Sequence, residues 1–177
     1  MKRARMLPFA AAIAMLAAAS PALAETTIGV ANFQKIMHDS KAAAAVTQQL
    51  QAKQKTFQAE LDSKGKALQE EGQALDKMRG TADREAFEKK VKSFESKRAA
   101  AAKEIDAKRG QLDKAYSGAL EQIKTNVLDI SKQIASEKKM SAVLDSGQLL
   151  YADPAFDVTD EVLKRLNDKL PTVKVSF

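Results

Sequence analysis

Between Lys41 and Lys139 the apolar positions return with the period of a coiled coil. In the second half of this stretch Phe87, Val91, Phe94, Arg98, Ala101, Ile105, Lys108 and Leu112 follow alternating steps of four and three. Tyr116 and Leu120 each arrive after a step of four, a stutter, and Ile123, Val127, Ile130 and Ile134 resume the alternation. Such a seam lies along one face of a helix and packs against a partner helix. The first half is sparser, carried by Val46, Leu50, Phe57, Leu61, Leu68, Leu75 and Met78. Ala, Gln, Lys, Glu and Leu, all strong helix formers, fill the rest, and no proline interrupts them. A break falls at Arg79-Gly80-Thr81-Ala82-Asp83, where Gly80 suits a helix C-cap and Thr81 or Asp83 an N-cap. Two helices joined by so short a turn run antiparallel. The pattern therefore predicts an α-hairpin over 41–139, turning near 79–83. Its arms are about 40 and 55 residues long, and at ~1.5 Å per residue the shorter spans roughly 60 Å. Gly65, Gly72, Gly110 and Gly118, with Arg98 and Lys108 in the seam, mark arms of low local stability.

The two ends carry a different pattern. "TTIGVAN" at 26–32 reads as a strand, and "MSAVL" and "LLYAD" read as two more around an Asp145-Ser146-Gly147-Gln148 turn. Thr159 is placed as an N-cap for a short helix that shows Val162, Leu163, Leu166 and Leu170 on one face and stops at Pro171. The predicted fold class is α+β: a long antiparallel α-hairpin, a coiled-coil tentacle, inserted in a small β body built from 25–40 and 140–177. Two or three strands and one short helix do not make an independent core, so the body is expected to complete its sheet by oligomerising.

Residues 1–24 have the form of a secretory signal peptide. Lys2, Arg3 and Arg5 precede an apolar run from Leu7 to Ala19, too short to span a bilayer, and Ala22-Leu23-Ala24 fits the cleavage pattern. Cleavage after Ala24 is expected, which makes the mature chain an exported one. Charge then divides along the chain. The hairpin stretch 41–139 holds 21 Lys and Arg against 15 Asp and Glu, and the rest of the chain from Glu25 on holds 5 against 8. The excess positive charge belongs to the arms. There is no cysteine, so stability must come from packing or assembly and not from disulfides.

Catalytic chemistry finds little to use. One histidine, His38, no cysteine and no glycine-rich phosphate loop are present, and no metal-ligand spacing occurs. Paired carboxylates such as Glu70-Glu71 are adjacent in sequence and point to different helix faces. No enzyme, cofactor or metal site is expected. Basic arms raise nucleic-acid binding, but the interleaved acids and the export signal argue against a physiological nucleic-acid partner. "PTVKVSF", at 171–177, alternates like the closing strand of an outer-membrane barrel; a barrel needs at least eight such strands, and the chain offers two or three.

"IGVANFQKIM", the Gln/Lys/Ala-rich hairpin and "SAVLDSGQLLYADPAFDVTDEVLKRLN" together resemble the Skp/OmpH family of periplasmic chaperones. The last of these is the specific part. The resemblance implies that the exported chain's compartment is the periplasm. It implies a homotrimer whose β body trimerises and whose three tentacles surround a cavity. It implies an ATP-independent holdase that keeps unfolded outer-membrane proteins from aggregating. On that reading Leu61, Leu68, Met78, Phe87 and Phe94 are the candidate apolar client contacts on the arms. Arg79, Arg84, Lys89, Lys90, Lys97 and Arg98 are the candidate basic positions, attracting acidic clients or touching anionic lipid or lipopolysaccharide. The 171–177 tail departs from the family pattern and takes no role from it. The competing reading is a structural or adaptor coiled coil of the cell envelope, which would share the leader and heptads but need no closing α/β body.

Overall fold

The computed structural model describes residues 27–80 and 83–177. The signal-peptide assignment and the Thr81 capping alternative lie outside the described residues. Strand β1, Thr27–Ala31, leads into a short helix α1, Phe33–Asp39. The arms follow as α2, Lys41–Met78, and α3, Arg84–Glu137. Strand β2, Met140–Asp145, and helix α4, Thr159–Lys169, close the chain order.

Side-chain caps explain where the helices start. The Asn32 carboxamide oxygen accepts from the Lys35 amide at 2.8 Å and opens α1. Ser40 ends α1 and opens α2, its hydroxyl accepting from the Ala43 amide at 3.2 Å while fully buried. Asp83 opens α3 by accepting from the Ala86 amide at 3.1 Å. Each satisfies a donor that a helix N-terminus otherwise leaves unpaired. At the other end of α2, Gly80 takes φ +85°, a conformation that costs a glycine little. Both helices run unbroken through Gly65, Gly72, Gly110 and Gly118.

The strands β1 and β2 are parallel neighbours, Ile28 opposite Ala142 and Val30 opposite Leu144. The expected strand–turn–strand is not formed. After β2, residues 146–148 make a single 3₁₀ turn in which the Asp145 carboxylate accepts from the Gly147 amide at 3.1 Å. "LLYAD" leaves no ladder behind it: Leu150 is fully exposed and Tyr151 is 79 % exposed, with no third strand beside them among the described residues. The apolar alternation was there, but a strand needs a neighbour to pair with. Thr159 is likewise not a cap. It is the first residue of α4, and its buried hydroxyl accepts from the Asn32 amide at 2.8 Å, while the Asp157 carboxylate accepts from the Thr159 amide at 2.7 Å. Helix α1 was not read from the sequence at all, because its seven residues are too few to show a period.

One core joins the sheet to the hairpin root. Ile36 of α1, Val46 of α2, Ile123, Ile130 and Ile134 of α3, and Val162 and Leu166 of α4 are essentially inaccessible and form a single cluster. Val173 and Val175 complete it, so the 171–177 segment packs on the hairpin root. Polar ties hold α4 in place: Asn167 accepts from the Lys41 amide at 2.8 Å, and Arg165 forks onto Glu137 at 2.6–2.8 Å while reaching Glu161 at 2.6 Å. Arg165 holds Glu137 below the usual carboxylate range, and Lys138 does the same to Glu161. Toward the tip the packing thins. Between Arg84 and Lys114, α3 buries no residue completely, and the facing part of α2 buries Phe57 and Leu75.

Lys139, between α3 and β2, is the one described non-glycine residue with positive φ, at 56°. A Cβ in this left-handed conformation costs about 1–2 kcal/mol. Lys139→Gly should therefore raise stability by about 1 kcal/mol. The check is urea unfolding, with the midpoint moving up and the slope unchanged.

Candidate functional site

The hairpin has two unlike faces. On one, Leu50, Phe57, Leu61, Ile105, Leu112 and Tyr116 line an open groove between α2 and α3. Tyr116 carries it toward the root, where Phe33, Met37 and Leu120 extend the apolar lining. Ile105 and Tyr116 are 42 % and 47 % exposed, so the groove presents apolar surface to solvent. On the other face the 171–177 segment lies near the root, with Ser176 and Phe177 over Ala107, Gly110, Gly118 and Gln122 of α3. At ~3.6 residues per turn these two sets of α3 positions fall on opposite sides of the seam.

A cation explains why the groove stays open. Lys108 occupies a seam position, with its side chain 14 % exposed. Its ammonium sits 4.1 Å from the centroid of the Phe57 ring and pairs with Glu60 and with Glu104, the latter at 3.4 Å. Lys53 approaches the same ring at 4.6 Å. The hydrogen bond from Lys108 holds Glu60 below the usual carboxylate range, and the one from Lys64 does so for Glu104. Glu60 in turn raises Lys108. The charged seam residue is thus paired and stacked, not a loose end. These pairs are solvent-accessible and each contributes little, but they put a charge where a plain coiled-coil seam would carry an aliphatic residue.

The candidate apolar residues separate. Leu61 lines the open groove. Leu68 lines a smaller hollow with Ala67 and Ala101, rimmed by the Lys64–Glu104 and Lys97–Glu71 pairs. Phe94 is half-buried across α2: a Cβ at Gly72 would stand 3.3 Å from its ring, so Gly72 is the notch that receives it. Met78 and Phe87 are half-buried near the tip, and the Met78 sulfur accepts from the Lys90 ammonium at 3.4 Å. Sequence reasoning passed over Ile105 and Tyr116 as contact residues. Both had been counted in or beside the seam, and a period alone does not tell a filled seam from one propped by lysine. The stutter at Tyr116 was the available signal, since it turns that residue toward the seam's edge.

The basic candidates are all exposed and mostly engaged. Arg84 pairs with Glu88 at 3.0 Å, Lys89 with Glu85 at 2.7 Å and Lys97 with Glu71 at 2.7 Å. The Arg98 guanidinium lies 5.9 Å from the Phe94 ring centroid. Arg79 is exposed at the C-cap of α2, its amide donating to the Asp76 carbonyl at 3.2 Å. They form a spread field along the outer arms and not one pocket. His38 is exposed and hydrogen-bonds its neighbour Asp39 at 2.7 Å. Among the described residues no group of three His, Cys, Asp or Glu side chains is placed to hold a metal. No helix among them is long and apolar enough to cross a membrane.

Comparison with known proteins agrees with this architecture. The chain is 29 % identical over 164 residues to the chaperone protein Skp of Yersinia enterocolitica, covering 89 % of this chain and 96 % of that one. A Caulobacter crescentus CB15 structure described as OmpH-like superposes with a TM-score of 0.79 over 89 % of this chain and 92 % of its own, at 24 % identity, and so shares the fold. The family model for outer membrane protein (OmpH-like) matches residues 27–166, both strands, the whole hairpin and most of α4. The chain belongs to the OmpH-like family.

Proposed function

We propose that this protein is an ATP-independent holdase chaperone of the periplasm, one that binds unfolded outer-membrane proteins between the arms of a homotrimer and prevents their aggregation. The observation that carries the reading is the apolar groove left open along a solvated, basic hairpin. A plain coiled coil would bury Ile105 and Tyr116 in its seam; here they face solvent. Unfolded barrel strands expose apolar residues at every second position. Shallow apolar contacts repeated along several arms hold such a chain by multivalency, with no single contact essential. The Skp relative is named a chaperone, which supports the same assignment.

The sheet supports the proposed assembly. A two-stranded sheet is too small to stand alone. Ile28, Leu144, Leu149, Tyr151 and Phe156 surround a shallow apolar hollow beside it, which a second copy would cover. Trimerisation through this body leaves the arms free to enclose a client. The arms' positive charge attracts acidic clients at long range and offers contacts to anionic lipid or lipopolysaccharide. Because Arg84, Lys89 and Lys97 sit in exposed pairs, they can exchange partners at low cost.

Two experiments check this function. Leu61→Ser, Ile105→Ser and Tyr116→Ser together should raise the Kd for a urea-denatured barrel protein at least about tenfold, which is ~1.4 kcal/mol. Helicity and a native mass of three copies should be kept. Unchanged affinity would remove the groove from the account, and a monomeric mass at micromolar concentration would remove the trimer. Separately, neutralising Arg79, Arg84, Lys89, Lys90, Lys97 and Arg98 should slow stopped-flow capture of an acidic client at low salt. The difference should shrink toward ~1 M salt, where the Debye length is about 3 Å, and release should change little.

A further inference from the structure

The segment that follows α4 lies outside the stretch matched by the family model, yet it is seated in a site of some definition. Its side chains alternate: Val173 and Val175 are buried at 2 % and 5 %, while Thr172, Lys174 and Ser176 face out. Gln49 of α2 reads its main chain in both directions. The carboxamide nitrogen donates to the Val173 carbonyl at 2.7 Å, and the carboxamide oxygen accepts from the Val175 amide at 3.1 Å. One residue of a parallel β-strand makes this same pair of bonds to positions two apart on its neighbour. The recognition is therefore of an extended backbone with apolar residues on one side, whatever their identity.

The rest of the trough fits that description. Gly110 and Gly118 pave part of its α3 side, and no atom lies within 4 Å of where a Cβ at either would stand. The floor is open beyond what the resident segment fills. Lys53 lies 5.6 Å from the Phe177 ring centroid, a cation over an aromatic side chain that itself stays 40 % exposed. Hydrogen bonds to residues 172–177 among the described residues run to Gln49 alone. The segment is held by Gln49, by two buried valines and by the Lys53 contact to Phe177, with no strand ladder to either helix.

We infer that this trough between α2 and α3 is a strand-binding site, occupied in the resting chain by its own residues 172–177 and contested by extended client segments with apolar residues at alternate positions. The inference rests on the holdase reading for the identity of the client. It gives that reading a second contact, on the face of the hairpin opposite the open groove and specific for backbone in place of side chains. The resident segment keeps the trough from staying bare and sticky between clients, since its valines complete the root core.

The test uses the full chain with a urea-denatured barrel protein, reading hydrogen exchange at the Val175 amide. Client binding should speed exchange there at least tenfold, with Ile130 and Ile134 unchanged. A labelled peptide of residues 171–177 should bind a chain stopped after Pro171 at least tenfold more tightly than the full chain. The unfolded client should displace it, and a peptide N-methylated at the Val175 nitrogen should fail to bind. A full-length Val175→Lys variant, which unseats the segment while keeping its length, should match the stopped chain. Unchanged Val175 protection in a client complex overturns the inference and leaves the segment a strap. Peptide binding that the client cannot compete overturns the client assignment. Loss of aggregation suppression by the full chain, scored in the same samples by light scattering, would instead strike the holdase reading, so the two failures are distinguishable.

Discussion

Everything in this protein is arranged around one parallel pairing, β1 against β2. Parallel neighbours cannot be joined by a tight turn; the chain leaves β1 at one end of the sheet and must re-enter β2 at the opposite end. Here the crossover is the whole of α1, α2 and α3. An outward helix of 38 residues and a longer returning helix of 54 carry the chain back past its starting point to that opposite end, so the arm can be long without disturbing the sheet. The root is fixed where Ser40 ends one helix and begins the next, and where Val158 donates its amide to the Val30 carbonyl at 2.8 Å. Sheet, root and α4 then share one core, and the arms cannot move at their base without disturbing it.

Away from that core the same helices obey a different economy of packing. Near the root, isoleucines and valines of α3 are inaccessible; farther out, the seam is made of half-buried apolar residues such as Val91 and Phe94, interrupted by Arg98 and Lys108. A seam propped by Lys108 over Phe57 keeps two helices together through cation–π contact and paired charge, not through depth. Apolar residues that would otherwise vanish into the interface remain at its edge. The arm is thus a solvated helix pair that still exposes hydrophobic surface, which is the combination a holdase needs and a structural coiled coil does not.

The hairpin was legible because its signal is long. Alternating steps of four and three in the second arm, a sparser apolar row in the first, and a glycine and an aspartate at 79–83 pointed to two long helices with a break between them, since period and capping are local properties of the chain. Helix α4 was legible in the same way through Val162, Leu166 and Pro171. The body was only half legible. Strand β1 and strand β2 showed their apolar runs, but whether "LLYAD" pairs depends on a neighbour that periodicity does not specify, and Thr159 looked like a cap while serving as the acceptor for a distant amide. The groove was the least legible. Phe94 was read both as a seam position and as a candidate client contact, and Gly72, read as a weak point, stands against its ring. Ile105 and Tyr116 emerged only from knowing what the seam is filled with.

The most direct measurement is site-specific photo-crosslinking from the open face and from its reverse. A benzoylphenylalanine placed at Tyr116 should crosslink to an unfolded barrel protein. One placed at Lys92, exposed on the other side of the same helix and about 22 Å of helix farther out than Ala107, should give little product. Equal crosslinking from both positions would contradict the account, because the client would then be held by the arm's surface at large and not by the groove that the lysine-propped seam leaves open.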